Sequence, residues 1–454
     1  MTNRSMILAI IVMTYVMIVL DISIVLTGLP RIQAELGFTE AGLSWVSTAY
    51  TLCFGGFLLL GARLGDVYGR RRMFLTGLAV FAFASLLIGI AQSPALLVAA
   101  RALQGMGAAV LAPSTLALLQ VSFAPGPERT RALAAYAAAA GVSASFGLVL
   151  GGVLADLVSW RAGFFLNLPL SLGLALAALR HVVDTDRPGG RIDLPGAATS
   201  TLGIGALVYG MIHSATAGWH DAVTLGALAV GLVFLGLFLL GQHRAADPLL
   251  PLRLFASRER SGAYLARVLF LGANVSFYFF MSQYFQEGLG YSAMAAGLAF
   301  LPTTLVNFAA ALSGPKLIAR FGSGAVLSVS LVASLIGFAG LARISPDSSL
   351  WLGLMLPMIA LGFGQGGALA PLTQAGISGA AAGDAGAASG LVNVAHQIGS
   401  SLGLAVLISV AAPAGGIIAR TAWAMTGGAV MIALTVAIAL AFGLAGRPRT
   451  HAAG

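Results

Sequence analysis

Charge is what this chain has least of: 9% of its 454 residues are Asp, Glu, Lys or Arg, and lysine occurs once, at Lys316. A phosphate-binding loop of the form GxxxxGK[ST] requires lysine between glycine and a hydroxyl residue, and Lys316 lies between Pro315 and Leu317, so the chain holds no ATP-binding loop. A single cysteine, Cys53, excludes an internal disulfide framework. The six histidines (181, 213, 220, 243, 396 and 451) are scattered over different segments. Metal and acid/base centres need such groups to converge, so no metal, no cofactor and no enzymatic activity are expected.

In place of charge there is apolar surface. Hydrophobic residues make up 58% of the chain, and the mean hydropathy is +0.94. Soluble globular chains do not have this composition. The apolar residues form runs at 6–29, 44–65, 73–91, 95–123, 132–155, 163–180, 195–213, 222–242, 263–286, 292–313, 323–343, 351–375, 386–411 and 421–446. At 1.5 Å per residue a helix of about 20 residues crosses a hydrocarbon core of about 30 Å. The expectation is therefore an all-α polytopic membrane protein of fourteen transmembrane helices. The first run has no small-residue cleavage site after it and reads as a retained helix.

Basic residues orient the spans. Arg4, Arg70, Arg71, Arg72, Arg129, Arg131, Arg180, Arg187, Arg191, Arg244, Arg253, Arg258, Arg260, Lys316, Arg320, Arg447 and Arg449 fall at the termini or in loops from even to odd spans; Arg31, Arg161, Arg343 and Arg420 fall in the opposite set. The bias puts both termini in the cytoplasm. The net charge of +9 then reflects topology and contact with anionic lipid headgroups, and nucleic acid is not an expected partner.

The chain also repeats itself. GARLGDVYG (61–69) aligns with GPKLIARFG (314–322), LAPST (111–115) with LAPLT (369–373), and SFGLVL (145–150) with SLGLAV (401–406), at offsets of 253, 258 and 256 residues. Three matches in order at nearly one offset indicate a parallel duplication. The resulting domains are a six-helix bundle over 1–180, a linker at 181–194, an inserted helix pair at 195–242, a linker at 243–262, a second six-helix bundle over 263–446 and a tail at 447–454. Parallel six-helix repeats are an architecture of secondary transporters, with the solute site at mid-membrane.

One carboxylate interrupts the first run, Asp21 in VMIVLDISIVLTGLP (16–30). A carboxylate near a helix centre costs roughly 2.5–3.5 kcal/mol on insertion scales, which is tolerated where the group faces a cavity or a partner. Proton coupling accounts for it; a structural ion pair or an acid at a polar interface accounts for it as well. Arg101 is the expected partner. Asp21 lies about 12 Å and Arg101 about 9 Å below the outer ends of their helices. Gln104, one turn beyond Arg101, is placed to hydrogen-bond into the same site. Asp66, Gly69, Arg70 and Arg71 make a short cytoplasmic turn, in which glycine permits the reversal and the arginines anchor to headgroups. Ser143, Gly147 and Gly151, with Gly152 beside them, form a small face for close helix packing or for a seal between halves. Asn274, Phe277, Tyr278 and Met281 share one broad helical face. They suit a tolerant apolar pocket, with Asn393, His396 and Gln397 on the opposite wall, or else lipid or core packing. Arg267, about one turn from a helix end, reads as a snorkelling side chain.

Several stretches together resemble the major facilitator superfamily and, within it, the fourteen-spanner drug/proton antiporters. They are LDISIVLTGLP (20–30), WVSTAY (45–50), RALQGMGAA (101–109), SWRAGFFLNLP (159–169), GYSAMAAGLAFLP (290–302) and GAASGLVNVAHQIGSSLG (386–403), covering about residues 16–410. The match departs at Ala62 and Val67, where that family has glycine and a base, and at Leu148, where its fifth-helix motif has proline. The resemblance implies two six-helix bundles with two inserted helices. It further implies proton-coupled efflux of drug-like or antibiotic small molecules by alternating access, a monomer, and a place in a bacterial cytoplasmic membrane. It gives Arg101 a part in proton transfer and makes Asp66 a conformational latch. A proton-coupled uptake symporter for one solute is the alternative on the same fold.

Overall fold

The computed structural model describes residues 2–123, 127–182, 193–245, 248–346, 348–380 and 384–444; some side chains within these ranges, including that of Asp66, lie outside the described set. Helices make up the fold: α1 (Thr2–Leu36), α2 (Glu40–Leu43), α3 (Trp45–Tyr68), α4 (Arg70–Gly89), α5 (Pro94–Ser122), α6 (Pro127–Leu157), α7 (Trp160–Phe165), α8 (Asn167–His181), α9 (Leu194–Ala217), α10 (Ala222–Arg244), α11 (Arg258–Gln283), α12 (Ala293–Ala299), α13 (Leu301–Phe321), α14 (Ser323–Leu341), α15 (Leu356–Ile377), α16 (Ala385–Ala411) and α17 (Gly416–Ala441). Among the described residues twelve helical segments are long and apolar enough to cross a membrane. The expected spans at 132–155 and 195–213 are not among those twelve, although both are helical, as α6 and α9. α1 runs past both ends of its hydrophobic stretch, because a helix continues into the headgroup layer without needing apolar side chains there.

Hydroxyl groups inside these helices return to their own backbone, as with Thr14 to Ile10 O at 2.7 Å, Ser85 to Phe81 O at 2.8 Å and Ser330 to Val326 O at 2.7 Å. A polar side chain bonded to its own helix needs no partner elsewhere in an apolar medium.

The helices divide into two compact units, one comprising Met1–Leu249 with Met281–Ala299 and the other Leu250–Phe280 with Phe300–Gly454. In the first, α5 packs against α3 and α4 through glycines. A Cβ at Gly61 would come within 2.1 Å of Ala109 O, and one at Gly105 within 2.3 Å of Tyr50 O. In the second, α15 packs against α13 and α14 in the same manner, with Gly366 against Asn307 O at 2.1 Å and Gly364 against Ser330 O at 2.5 Å. Each of these central helices carries an internal proline at the matching place in the repeat, Pro113 and Pro371.

Within the first unit α9 and α10 pack on the other helices through α9, where Thr201 lies against Gly56 of α3. α10 leaves Leu232, Val233 and Leu240 exposed. A tilted pair of rings, Trp45 and Tyr209, lies 6.3 Å apart beside a groove of about 520 Å³ lined by Phe38, Pro94 and Val98.

Both bases that the sequence places at the outer side of the first half sit on acids. Arg31 meets Asp156 at 2.8 Å, and Arg161 pairs with Glu35, which also accepts from Trp160 Nε1 at 2.6 Å. Asp156 accepts from the backbone N–H groups of Ala293 and Met294 at the start of α12 as well, at 3.2 and 2.8 Å.

In the second unit Arg253 holds Asp384, at the start of α16, through two parallel bonds of 2.6 and 2.7 Å. The Arg253 hydrogen bond keeps the Asp384 carboxyl below its ordinary range. A carboxyl lowered in the fold stabilises above its unfolded value, and that stabilisation disappears as pH falls through the folded one. Asp384→Asn in detergent is accordingly expected to lower the melting temperature at pH 7, and the gap from wild type is expected to start narrowing near about pH 4, the ordinary carboxyl range, and to go on narrowing as pH falls further. A gap unchanged between pH 7 and about pH 2 would remove the ion pair as its cause.

Candidate functional site

The centre of the first unit is a closed polar network on five helices. Asp21 on α1 and Arg101 on α5 are 2% and 1% exposed, and they pair at 2.6 Å from Oδ2 to Nη1. Gln104, one turn along α5, donates through Nε2 to Asp21 Oδ1 at 2.8 Å and accepts Arg101 Nη1 on its Oε1 at 2.6 Å. The i, i+3 spacing sets both side chains on one face of α5. Arg101 Nε donates to Val46 O at 2.8 Å, taking a carbonyl in the first turn of α3. The guanidinium lies 4.4 Å from the centre of the Tyr50 ring and 5.8 Å from that of Phe164. Stacked aromatic faces suit a weakly hydrated planar cation better than an ammonium.

The network extends to two residues that the sequence reading left out. Asn167, the first residue of α8, donates through Nδ2 to Asp21 Oδ1 at 2.7 Å and to Ser85 Oγ at 3.2 Å. Ser85 on α4 also receives Gln104 Nε2, at 2.9 Å. The carboxylate thus accepts three hydrogen bonds, one each from Arg101, Gln104 and Asn167. Asn167 stands inside SWRAGFFLNLP, singled out above as a stretch without a role for its asparagine.

The other expected site residues divide between the units. Gly69 adopts φ 98° between α3 and α4, a backbone open to glycine, and so makes the turn. Arg71 donates to Leu179 O in the last turn of α8 at 2.7 Å, and Arg70 reaches Ala117 O at 3.4 Å. Both arginines therefore tie helices within the first unit, while the proposed latch acid Asp66 has its side chain outside the described set. Ser143 is buried and donates to Ala139 O. Gly147 and Gly151 admit α1, with hypothetical Cβ atoms 2.7 Å from Ser23 Cβ and 2.6 Å from Ile24 O, while Gly152 faces Ala293 O at 2.3 Å.

The face expected on α11 is split. Asn274, Phe277 and Tyr278 belong to the second unit, whereas Met281 belongs to the first. Phe277 is fully buried among Tyr278, Phe300 and Phe338. Tyr278 donates its hydroxyl to Gln365 Oε1 at 2.9 Å, which also accepts from Asn307 Nδ2 at 3.2 Å. Gln365 Nε2 and Asn274 Oδ1 are buried without hydrogen-bond partners. Asn393 is exposed and bonds its own helix at Ser389 O. His396 and Gln397 are half-buried, and His396 Nδ1 stands 3.3 Å from Arg267. Arg267 does not snorkel; it is 6% exposed and donates to Thr373 Oγ1 at 2.9 Å.

A polytopic helical protein with a buried, hydrogen-bonded ion pair at membrane depth and no clustered metal ligands among its described residues has the build of a secondary transporter. The chain belongs to the Major Facilitator Superfamily, whose family model matches residues 11–404. It is 41% identical to a cephamycin export protein of Amycolatopsis lactamdurans over 87% of this chain and 82% of that one. It is 38% identical to a puromycin resistance protein of Streptomyces alboniger, covering 89% and 81%, and 34% identical to a tetracenomycin C resistance and export protein of Streptomyces glaucescens, covering 86% and 73%. Among solved structures it has the fold of a peptide transporter bound to alafosfalin, with a TM-score of 0.71 at 15% identity over 96% of this chain and 94% of that one. A nucleoside transporter matches with a TM-score of 0.67 at 14% identity, over 97% and 100%.

Proposed function

We propose that the protein exports amphipathic or hydrophobic small molecules, drugs and antibiotics among them, from the bacterial cytoplasm in exchange for protons, by alternating access. The observation that carries the coupling is the caged Asp21. A carboxylate brought to membrane depth and surrounded by donors is a group whose charge state the protein controls. Relatives named for export of, or resistance to, chemically different antibiotics support outward transport over uptake of one solute. Tyr278, Gln365 and Asn307, with the rings around them, support a solute surface that is mostly aromatic with a few polar points. The bundles at 1–180 and 263–446 are the transporting repeats, 195–242 is an added pair, and one chain suffices for transport. Both termini lie in the cytoplasm, and a proton gradient takes the place of ATP.

The test is accumulation of a fluorescent dye and an antibiotic panel in everted vesicles. Uptake is expected when the vesicle interior is acid, with release when the gradient is collapsed. Accumulation indifferent to the gradient would overturn proton coupling, and accumulation confined to right-side-out vesicles would overturn the direction.

A further inference from the structure

The donors around Asp21 match only its ionised form. A protonated carboxyl must itself donate one hydrogen bond, and in the observed arrangement nothing that touches it can accept. Arg101 has donors alone. Gln104 is committed at every atom, because Nε2 serves Asp21 and Ser85 while Oε1 holds Arg101 at 2.6 Å; reversing its amide would set donor against donor. Ser85 already accepts twice and gives its proton to Phe81 O. Tyr50, a titratable group facing the pair, has a buried hydroxyl without a hydrogen-bond partner and so does not hydrogen-bond to Asp21. Asn167 differs from all of these. It uses only Nδ2 in the network, and turning its amide over gives up just one other bond, the 3.2 Å contact to Ser85, which keeps Gln104 as a donor.

We propose that Asn167 is the positioning residue of the coupling cycle: when Asp21 takes up a proton, the Asn167 carboxamide reverses and its Oδ1 accepts the new Asp21 O–H. One proton binds to one carboxylate oxygen, supplied by the transmembrane gradient, and no other covalent bond changes. Because Asn167 begins α8, directly after the break that follows α7, the charge state of α1 is passed to α8 as a reversal of one amide. The inference rests on Asp21 being the proton carrier.

The experiment is the pH dependence of dye binding to purified protein, with gradient-driven and downhill dye transport measured in reconstituted vesicles. Asn167→Asp places a second carboxyl on the same oxygen, and two carboxyls at one site hold a proton between them. The binding profile is expected to move to higher pH by about one unit or more. Asn167→Leu, of similar size but with neither donor nor acceptor, is expected to cut gradient-driven transport at least about tenfold, the scale of a buried donor left without an acceptor. Downhill exchange should continue. Asn167→Ser, which can both donate and accept, should recover part of the loss. If Asn167→Leu does not fold, the profile of Asn167→Asp decides alone. An Asn167→Asp profile that overlays wild type overturns the proposal, as does gradient-driven transport at the wild-type rate by folded Asn167→Leu, or a profile moved by Tyr50→Phe, which would make the tyrosine hydroxyl the acceptor. Gradient-driven transport retained by Asp21→Asn would instead remove the proton carrier, and this inference with it.

Discussion

Asp21→Asn is expected to abolish gradient-driven accumulation while downhill exchange of substrate continues. Asparagine has nearly the volume of aspartate but cannot carry a proton across a charge change, so no free energy passes from the gradient to the solute. The substitution also sets an NH₂ group among the donors of Arg101, Gln104 and Asn167 and leaves the arginine as a buried cation without its counter-ion. Removing one partner of a buried pair costs about 3–5 kcal/mol. Transport must therefore be expressed per folded molecule, with a melting curve beside it. Uphill transport at the wild-type rate by folded Asp21→Asn protein would exclude Asp21 as the proton carrier.

Arg101→Ala has the second large effect, and its sign is fixed by the geometry. The substitution removes the only cation that contacts Asp21 in the described structure, together with the bond to Val46 O, while Gln104 and Asn167 stay in place. A nearby cation favours the ionised acid and burial favours the neutral one, so without the cation the neutral form persists to higher pH. Substrate binding by the variant should show its pH dependence displaced upward. Its thermal stability should be lower than wild type at pH 8, by about 3–5 kcal/mol where the acid stays ionised, and closer to wild type at pH 5. Arg101→Lys should recover part of both effects, since lysine keeps the charge but cannot reach Asp21, Gln104 and Val46 O with one planar fork. A binding profile that overlays wild type, or moves to lower pH, would uncouple the two residues. In the double variant with Asp21→Asn the losses should sum to less than the two single effects, because each single change leaves the other charge stranded.

Legibility in the sequence followed cost. Asp21 and Arg101 stood out because a charge inside an apolar run must be compensated, and their matched depths predicted the contact that the structure contains. Gln104 was found through its spacing from Arg101. Asn167, Ser85 and Tyr50 gave no comparable signal, although they complete the same network. A neutral hydroxyl or amide is inexpensive in a helix, where its own backbone can satisfy it, so its presence says little about where it points. Gln365 and Asn307 were missed for the same reason. The helical face drawn through Phe277, Tyr278 and Met281 was sound as periodicity, yet periodicity is local. It could not show that α11 passes from one unit to the other between Phe280 and Met281, just before a wider π-type turn at Tyr284–Gly288.

The sequence by itself determined the membrane class, twelve of the fourteen spans read from it, and the close-packing face of Gly147, Gly151 and Gly152. In a bilayer each spanning segment must satisfy its own backbone, and about 20 apolar residues suffice to record that locally. Family membership was also legible, since its motifs are short and ordered along the chain. Only the tertiary structure decided which neutral polar residues converge on Asp21, and that Asn167 on α8 closes the cage. Hydrogen bonds between helices depend on rotation and depth to within an ångström, and a hydropathy pattern is indifferent to displacements of that size.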